Sequence, residues 1–386
     1  MFWKKPHNYI PKSKHKDGTR KKVFVGVSGG VDSSVSLALL KDAGFDVTGV
    51  FIKVYHPDFL GCDWRDERLD AMAVCQKLDV PFLDLDLEKE YKEEVFDYMI
   101  ETYKAGDTPN PDVFCNTYVK FGGFLDFALE QGADFVATGH YARHIFEKGS
   151  NASDDRHFLA KGNDENKDQT YFLYTIPQEK LERVLFPIGA YPKNKVRKLA
   201  RKYDLLTADK KDSQGLCFVG NVKMKDFLQE FIDKQPGNVL DKDGKVIGSH
   251  DGALFYTTGE RHGFEILPKA KSPDMPRLFV IDRDMANNTI TVGSKELLEK
   301  KNEQSGLAVS FTRTNWITEK PDLSKTYVAR VRYRGELLPC SISQSKKEAQ
   351  SDSYTAYFET PHRSVARGQS LVIYSEDICV GGGIIT

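Results

Sequence analysis

Ser28-Gly29-Gly30-Val31-Asp32-Ser33-Ser34 stands directly after a short apolar run, residues 23–27. It opens a stretch, residues 32–43, that places Val35, Leu39 and Leu40 on one helical face. Glycines let the backbone approach an anion closely, and the N–H groups at a helix start point at it. Ser28, Ser33 and Ser34 add hydroxyl donors, and Asp32 is placed to share a magnesium ion held on phosphates. No Gly-Lys-Ser/Thr follows, so this is not a Walker A loop, nor is it GxGxxG.

Outward from this loop the pattern is α/β. Residues 47–52, 82–86 and 134–138 read as strands, and residues 67–78, 88–103 and 120–130 as helices. The alternation predicts a doubly wound, mostly parallel sheet, with its ligand beyond the carboxyl ends of the strands. The rhythm breaks after Asn221. The expected organisation is a basic flexible tail (1–22), a catalytic domain (23–220), a small mixed central domain (221–303) and a C-terminal antiparallel β-barrel (304–386). Within the last, residues 327–333, 337–342, 354–359 and 371–375 alternate as strands do.

The length of 386 residues suits two or three domains. No run of ~18 apolar residues predicts a membrane span, and residues 1–22 lack the apolar core of a secretory signal. Of the six cysteines (Cys62, Cys75, Cys115, Cys217, Cys340 and Cys379), no two form a CxxC pair, which argues against a zinc ribbon. They are too sparse for a disulfide-stapled fold, so a reducing cytoplasm is expected. The net charge of −1 means that nucleic-acid binding would need local patches: the tail, residues 193–202 (KNKVRKLARK) or residues 330–334 (RVRYR).

Two further loops carry cysteines. In Asn110-Pro111-Asp112-Val113-Phe114-Cys115-Asn116, Cys115 is expected on a loop before a helix at Lys120, whose positive end would lower a thiol pKa. Lys211-Asp212-Ser213-Gln214-Gly215-Leu216-Cys217-Phe218 is the second, too distant in sequence for local metal spacing but able to meet the first across a site. Cys75, Cys340 and Cys379 fall on regular elements and read as packing residues. Thr138-Gly139-His140-Tyr141 ends a predicted strand, and Lys167-Asp168-Gln169-Thr170-Tyr171 is a polar loop. Each motif alone has a plainer reading: a serine-capped turn, a buried inert cysteine, a structural histidine, a solvated charged face.

The first loop resembles the pyrophosphate loop of the N-type ATP pyrophosphatases, which cleave ATP to AMP and pyrophosphate and adenylate a carbonyl oxygen. SGGVDSS, NPDVFCN, TGHYAR, KDQTYFLY, KDSQGLCF, GERHG, RYRG, RGQS and GGGII occur in one order over nearly the whole chain. Together they resemble the tRNA-specific 2-thiouridylase family. That resemblance implies that Gly26, Val27, Ser28, Gly29, Gly30, Val31, Asp32 and Ser33 bind ATP, with Ile52 and Gly139. It makes Cys115 the nucleophile, with Asp112 beside it, and Cys217 the carrier of a persulfide. It brings Asn110, Pro111 and Asp112 to the target base, and His140, Lys167, Asp168, Gln169, Arg332, Tyr333 and Gln369 to tRNA. The implied reaction adenylates the 2-carbonyl of the wobble uridine and replaces the oxygen by sulfur, leaving a disulfide between Cys115 and Cys217. The implied partners are tRNA and a persulfide-donating protein, and the expected state is a monomer. The chain departs from the family in its N-terminal extension, in GERHG for GQR-G and in RGQS for PGQS; these bear on tRNA contacts rather than chemistry. A ligase acting on a small molecule would share the fold, and a decayed binding module would lack the chemistry. The paired cysteines and β-rich tail favour the thiolase reading.

Overall fold

The computed structural model describes residues 8–57, 59, 64–151, 154–211, 224–270, 276–305, 307–345, 352–362 and 365–386. The first sheet is built from β1 (Lys22–Gly26), β2 (Asp46–Lys53), β3 (Phe82–Asp86) and β4 (Phe135–Ala137). A hairpin of β5 (Ala142–Glu147) and β6 (Arg156–Lys161) follows, then β7 (Val184–Leu185). The sheet order is β3-β2-β1-β4-β7, parallel throughout. Both its faces are covered, which is why β1 is a continuous apolar run rather than an alternating one. Phe24 faces a core with Tyr91, Phe96, Phe121 and Phe124. Val23 and Val25 face another with Val35, Leu40, Val196 and Ala200.

The central domain is a five-stranded sheet of β8 (Gly237–Leu240), β9 (Val246–His250), β10 (Phe264–Ile266), β11 (Phe279–Asp284) and β12 (Thr289–Gly293), in the order β10-β9-β8-β12-β11. Phe227 and Phe231 pack on Phe96 of the catalytic domain, at ring-centroid distances of 6.1 and 5.0 Å. Arg283 reaches back to donate to Gly106 O at 3.1 Å.

The C-terminal region comprises β13 (Ala308–Trp316), β14 (Thr326–Arg330), β15 (Leu338–Gln344), β16 (Tyr354–Phe358), β17 (Ser370–Ser375) and β18 (Ile378–Ile385). These six antiparallel strands close into a barrel, because β13 pairs with both β16 and β18. Closure removes the sheet edges. One feature was not legible beforehand: β18 also pairs with β6 at Ile378 and Ala160, so the β5–β6 hairpin of the catalytic domain extends the barrel sheet. Arg143, almost wholly buried, seals that junction through Lys161 O at 2.7 Å and Asp377 at 2.9 Å.

The N-terminal segment read as a flexible tail is held in place from Asn8 to Lys21. The Asn8 amide donates to Phe186 O at 2.7 Å and accepts from His144 N at 3.0 Å. Tyr9 packs among His144, Phe146 and His157, and Lys21 N donates to Ser13 O. Lys12, Lys14 and Lys16 face solvent, while two uncharged residues, Asn8 and Tyr9, anchor the segment on the catalytic domain. Among the described residues, no helix is long and apolar enough to cross a membrane.

Beneath Tyr9, His144 is fully buried, bonded to Val184 O at 2.9 Å and to His157 at 2.7 Å. Burial, first, and the neighbouring His157 push its pKa down to about 3. The unfolded chain therefore binds a proton that the folded one refuses between about pH 6.5 and 3, and stability falls as pH drops through that window. The slope from this residue is up to about 1.4 kcal/mol per pH unit. Urea titrations at pH 7, 6, 5 and 4 should show that loss, and a His144→Gln variant should show a shallower one.

Candidate active site

The glycine loop joins β1 to the helix Val31–Asp42. Gly29 takes φ +65°, and a Cβ there would press into the Glu67 carbonyl oxygen, so only glycine fits. Gly30 is the N-cap, and no side chain caps the helix, which leaves its first-turn N–H groups directed outward for an anion. The serines instead shape the loop: Ser33 Oγ accepts from Ser28 N at 3.2 Å, and Ser33 and Ser34 donate to Gly30 O at 3.2 and 2.8 Å. Gly139 packs against the same helix start, where an added Cβ would lie 2.6 Å from Ser33 N and 2.8 Å from Asp32 C. Gly26 and Ile52 meet behind the loop, the Ile52 side chain 3.8 Å from the Cβ position of Gly26. The nucleotide-binding positions expected from the sequence thus form one cradle at the carboxyl edge of the sheet.

Asp32, in the first helical turn, accepts from Tyr141 Oη at 2.7 Å and from Lys193 Nζ at 2.8 and 2.9 Å. Lys193 opens the helix Lys193–Lys202, the basic stretch flagged from composition. Its Nζ is turned inward to Asp32 and lies 5.7 Å from the centre of the Tyr141 ring. Among the described residues, no three acidic, histidine or cysteine side chains gather as a metal cage. One carboxylate beside a phosphate cradle is the donor set that suits magnesium carried in on a nucleotide.

The Asn110–Asn116 motif is helical rather than a loop. Pro111 stands at the first position of the helix Pro111–Phe114, where its fixed φ is an advantage, and Cys115 begins a wide-wound π-type stretch, Cys115–Gly123. Val113, Val119 and Phe121 supply the buried face. Cys115 is 4% exposed. It lies one turn into this helix, not ahead of one beginning at Lys120. Lys120 is still relevant, because its charge reaches two neighbours. The Asp112 carboxyl is raised by burial and partly lowered again by Lys120. His140 is driven well below the ordinary imidazole range by burial, then by Lys120, so its ring is neutral. Thr138 Oγ1 fixes that ring at 2.8 Å from Nδ1. Asn116, one residue after the cysteine, donates to Phe172 O at 3.1 Å.

The Lys167–Tyr171 motif lies where the catalytic domain meets the barrel. Asp168 is 3% exposed and accepts from Gly162 N, Thr170 N and Thr170 Oγ1 at 2.9–3.2 Å. Arg330 of β14 faces it at 3.7 Å. The Gln169 amide accepts from Tyr141 N at 2.9 Å, tying this motif to the residue that holds Asp32. Lys167, Arg330, Arg334 and Gly335 line an open cleft of about 410 Å³. Arg332 is exposed in the turn after β14, and the Tyr333 ring packs at a tilt on Phe172, with centroids 4.4 Å apart. Gln369 touches Thr108 and Pro109, just before Asn110.

Three family models match in succession: a tRNA methyl transferase HUP domain over residues 21–221, its PRC-barrel domain over 225–294, and an aminomethyltransferase β-barrel domain over 307–385. A tRNA-specific 2-thiouridylase MnmA of Francisella tularensis subsp. novicida is 42% identical over 369 residues, covering 95% of this chain and 99% of the relative. That of Francisella philomiragia is 42% identical over 371 residues, covering 94% and 99%. The chain belongs to the tRNA-specific 2-thiouridylase family. Among solved structures, a U34-tRNA thiolase NcsA from Methanococcus maripaludis with its [4Fe-4S] cluster matches at 16% identity and TM-score 0.36, over 57% of this chain and 68% of that one. A 4-thiouridine synthetase–RNA complex with bound ATP matches at 19% and 0.32, over 51% and 44%.

Cys217, expected to meet Cys115, lies outside the described residues, as does Cys62. Among the described residues no disulfide forms. Burial raises the thiol of Cys75 to about 11 and that of Cys340 to about 12, and raises Cys379 further still, which fits packing roles. Sequence reasoning missed Tyr141, Lys193 and Lys120. Tyr141 stood inside a quoted motif; Lys193 stood in a basic run that looked like surface. A Gly139→Ala variant should lose nucleotide binding and about 1–3 kcal/mol of stability, since both atoms it meets are backbone. Calorimetric ATP titration and thermal melting would check the two effects.

Proposed function

We infer that this chain works as an ATP-dependent tRNA-uridine 2-sulfurtransferase. The observation that carries the reading is the uncapped glycine loop with Asp32 at the edge of a parallel sheet, in a chain that keeps Cys115 on the adjoining helical wall. His140, which packs at 5.9 Å from the Phe121 ring, links the two. The N–H groups of the Gly29–Ser33 turn hold the phosphates. Magnesium, when bound, would be held by Asp32 and would neutralise phosphate charge. Lys193 then exchanges the carboxylate for phosphate oxygen.

The wobble base is swung out of its stack to reach the site. Its O2 attacks the α-phosphorus, and pyrophosphate leaves. A persulfide on Cys217, loaded by a sulfur-donor protein, supplies the sulfur. Either its terminal sulfur bonds to C2 while AMP leaves, and the Cys115 thiolate then attacks the Cys217 sulfur to free the product, or Cys115 attacks first and the released hydrosulfide displaces AMP. Both orders end with 2-thiouridine, AMP and a Cys115–Cys217 disulfide, which an external thiol must reduce. Neutral His140 adds no charge beside the base, and Cys115 must react as its thiolate.

Lys210 pairs with Asp70 at 2.7 Å, and its carbonyl accepts from Arg197 at 3.0 Å. Asp70 lies beside Gly29, so Lys210 is held next to the phosphate loop. The exposed Arg332 and Arg334 and the cleft with Lys167 suit the phosphates of tRNA, and such binding weakens steeply with salt. A monomer working in the cytoplasm fits this reading.

The protein, ATP, magnesium, a persulfide donor and unmodified tRNA should together yield 2-thiouridine on nuclease digestion and mass spectrometry, with AMP and pyrophosphate in step. No thiouridine, with donor and tRNA shown to be competent, would remove the reading. Cys217→Ser should abolish thiolation and still release pyrophosphate in the presence of tRNA; a variant that thiolates would refute the role of Cys217.

A further inference from the structure

The start of β17 packs against the catalytic domain. The Gln369 side chain directs its Nε2 at two successive carbonyls, Thr108 O at 3.2 Å and Pro109 O at 2.9 Å. An amide nitrogen has two hydrogens, and both are engaged there. The contact is reinforced on each side. Thr108 N donates to Arg367 O at 2.8 Å. Gly368, at φ +84°, comes so close that a Cβ would lie 2.8 Å from Thr108 O and 3.0 Å from Thr108 N. Arg367, standing where the family usually has proline, pairs with Asp107 at 3.2 Å. On the far side, Tyr171 Oη donates to Ser370 O at 2.9 Å and also bonds to the side chain of Asn110.

The clasped segment, residues 107–110, leads directly into Pro111 and the helix that carries Asp112 and Cys115. Asn110 and Pro109 are buried, and their backbone has no regular partner strand. The barrel is what fixes where that helix begins.

We propose that Gln369 is a positioning residue for the nucleophile: it clamps the Thr108 and Pro109 carbonyls so that the Pro111 helix presents Cys115 in register with the phosphate loop. This rests on the reading of Cys115 as nucleophile and departs from the tRNA contact that family resemblance alone implies. Displacement of a reacting group by about 1 Å costs up to ~100-fold in rate, so loss of the clamp is felt in turnover rather than in substrate binding.

The test is Gln369→Leu, with Gln369→Glu as an isosteric second variant that turns a carboxylate oxygen on the two carbonyls. Alkylation of Cys115 by iodoacetamide, read at its own peptide by mass spectrometry, is followed without ATP or RNA in a background of Cys62→Ser and Cys217→Ser. Turnover and tRNA affinity are measured in the native background. The expected result is alkylation faster by roughly fivefold or more and kcat lower by roughly tenfold or more, with tRNA Kd within about twofold. Unchanged alkylation with weakened tRNA binding would mean that Gln369 serves the RNA, and would overturn the proposal, as would two folded variants indistinguishable from native. The nucleophile reading is checked separately: a Cys115→Ser protein that still thiolates would end it, while the alkylation result would still decide the role of Gln369.

Discussion

A carboxylate buried away from water must be surrounded by donors, and Asp168 sets that condition at the centre of this molecule. Burial raises its pKa, and Arg330, Thr170 and Gly162 oppose the rise. Three of the four donors are local, but the charged one comes from the barrel. Removing one partner of a buried pair typically costs about 3–5 kcal/mol, because the other charge is left stranded. The barrel strand β14 therefore has one place to sit, and the Arg330 guanidinium is further confined by the face of the Tyr374 ring at 5.2 Å. Once β14 is fixed, the turn with Arg332 and Tyr333 lies against Phe172, and β17 lies against residues 107–110.

The phosphate cradle is organised on the same logic at lower stakes. Asp32 is partly exposed, and its partners are a buried phenol and a lysine that keeps a little contact with water. The same residue pair ties the cradle to the seam: Tyr141 exchanges hydrogen bonds with Gln169, and Lys193 N donates to Asp164 at the start of the Lys167 loop. Nucleotide site and barrel seam are thus joined through two short covalent-and-hydrogen-bonded routes rather than through a flexible linker.

Much of this was legible in the sequence, and the reasons are physical. The phosphate loop announces itself because glycine conformation, serine hydroxyls and a helix start must coincide over seven residues. The parallel strands announce themselves as apolar runs, since they are buried on both faces. The barrel strands alternate because one face is wet. What failed to show was anything decided by distant partners. The β5–β6 hairpin has no distinctive pattern, and its sheet partner is more than two hundred residues away. Lys193 and Arg330 look like surface charge until their carboxylates are seen. The Cys115 motif looked like a loop because proline was weighed as a breaker, whereas at the first position of a helix it is a starter.

The closure of the barrel by β18 has a temporal side. That strand pairs with β17, β13 and β6, and it is made after all of them. The carbonyl of Pro109 and its clasping amide are separated by 260 residues. At ribosomal speeds of about 5–20 residues per second, the Pro111 helix waits for roughly 13–50 s before its brace is synthesised. The catalytic sheet can fold early, but the segment leading into Pro111 gains its clasp only when the barrel forms. A nascent chain can therefore carry an assembled phosphate loop for some time before the start of the Pro111 helix is held from both sides.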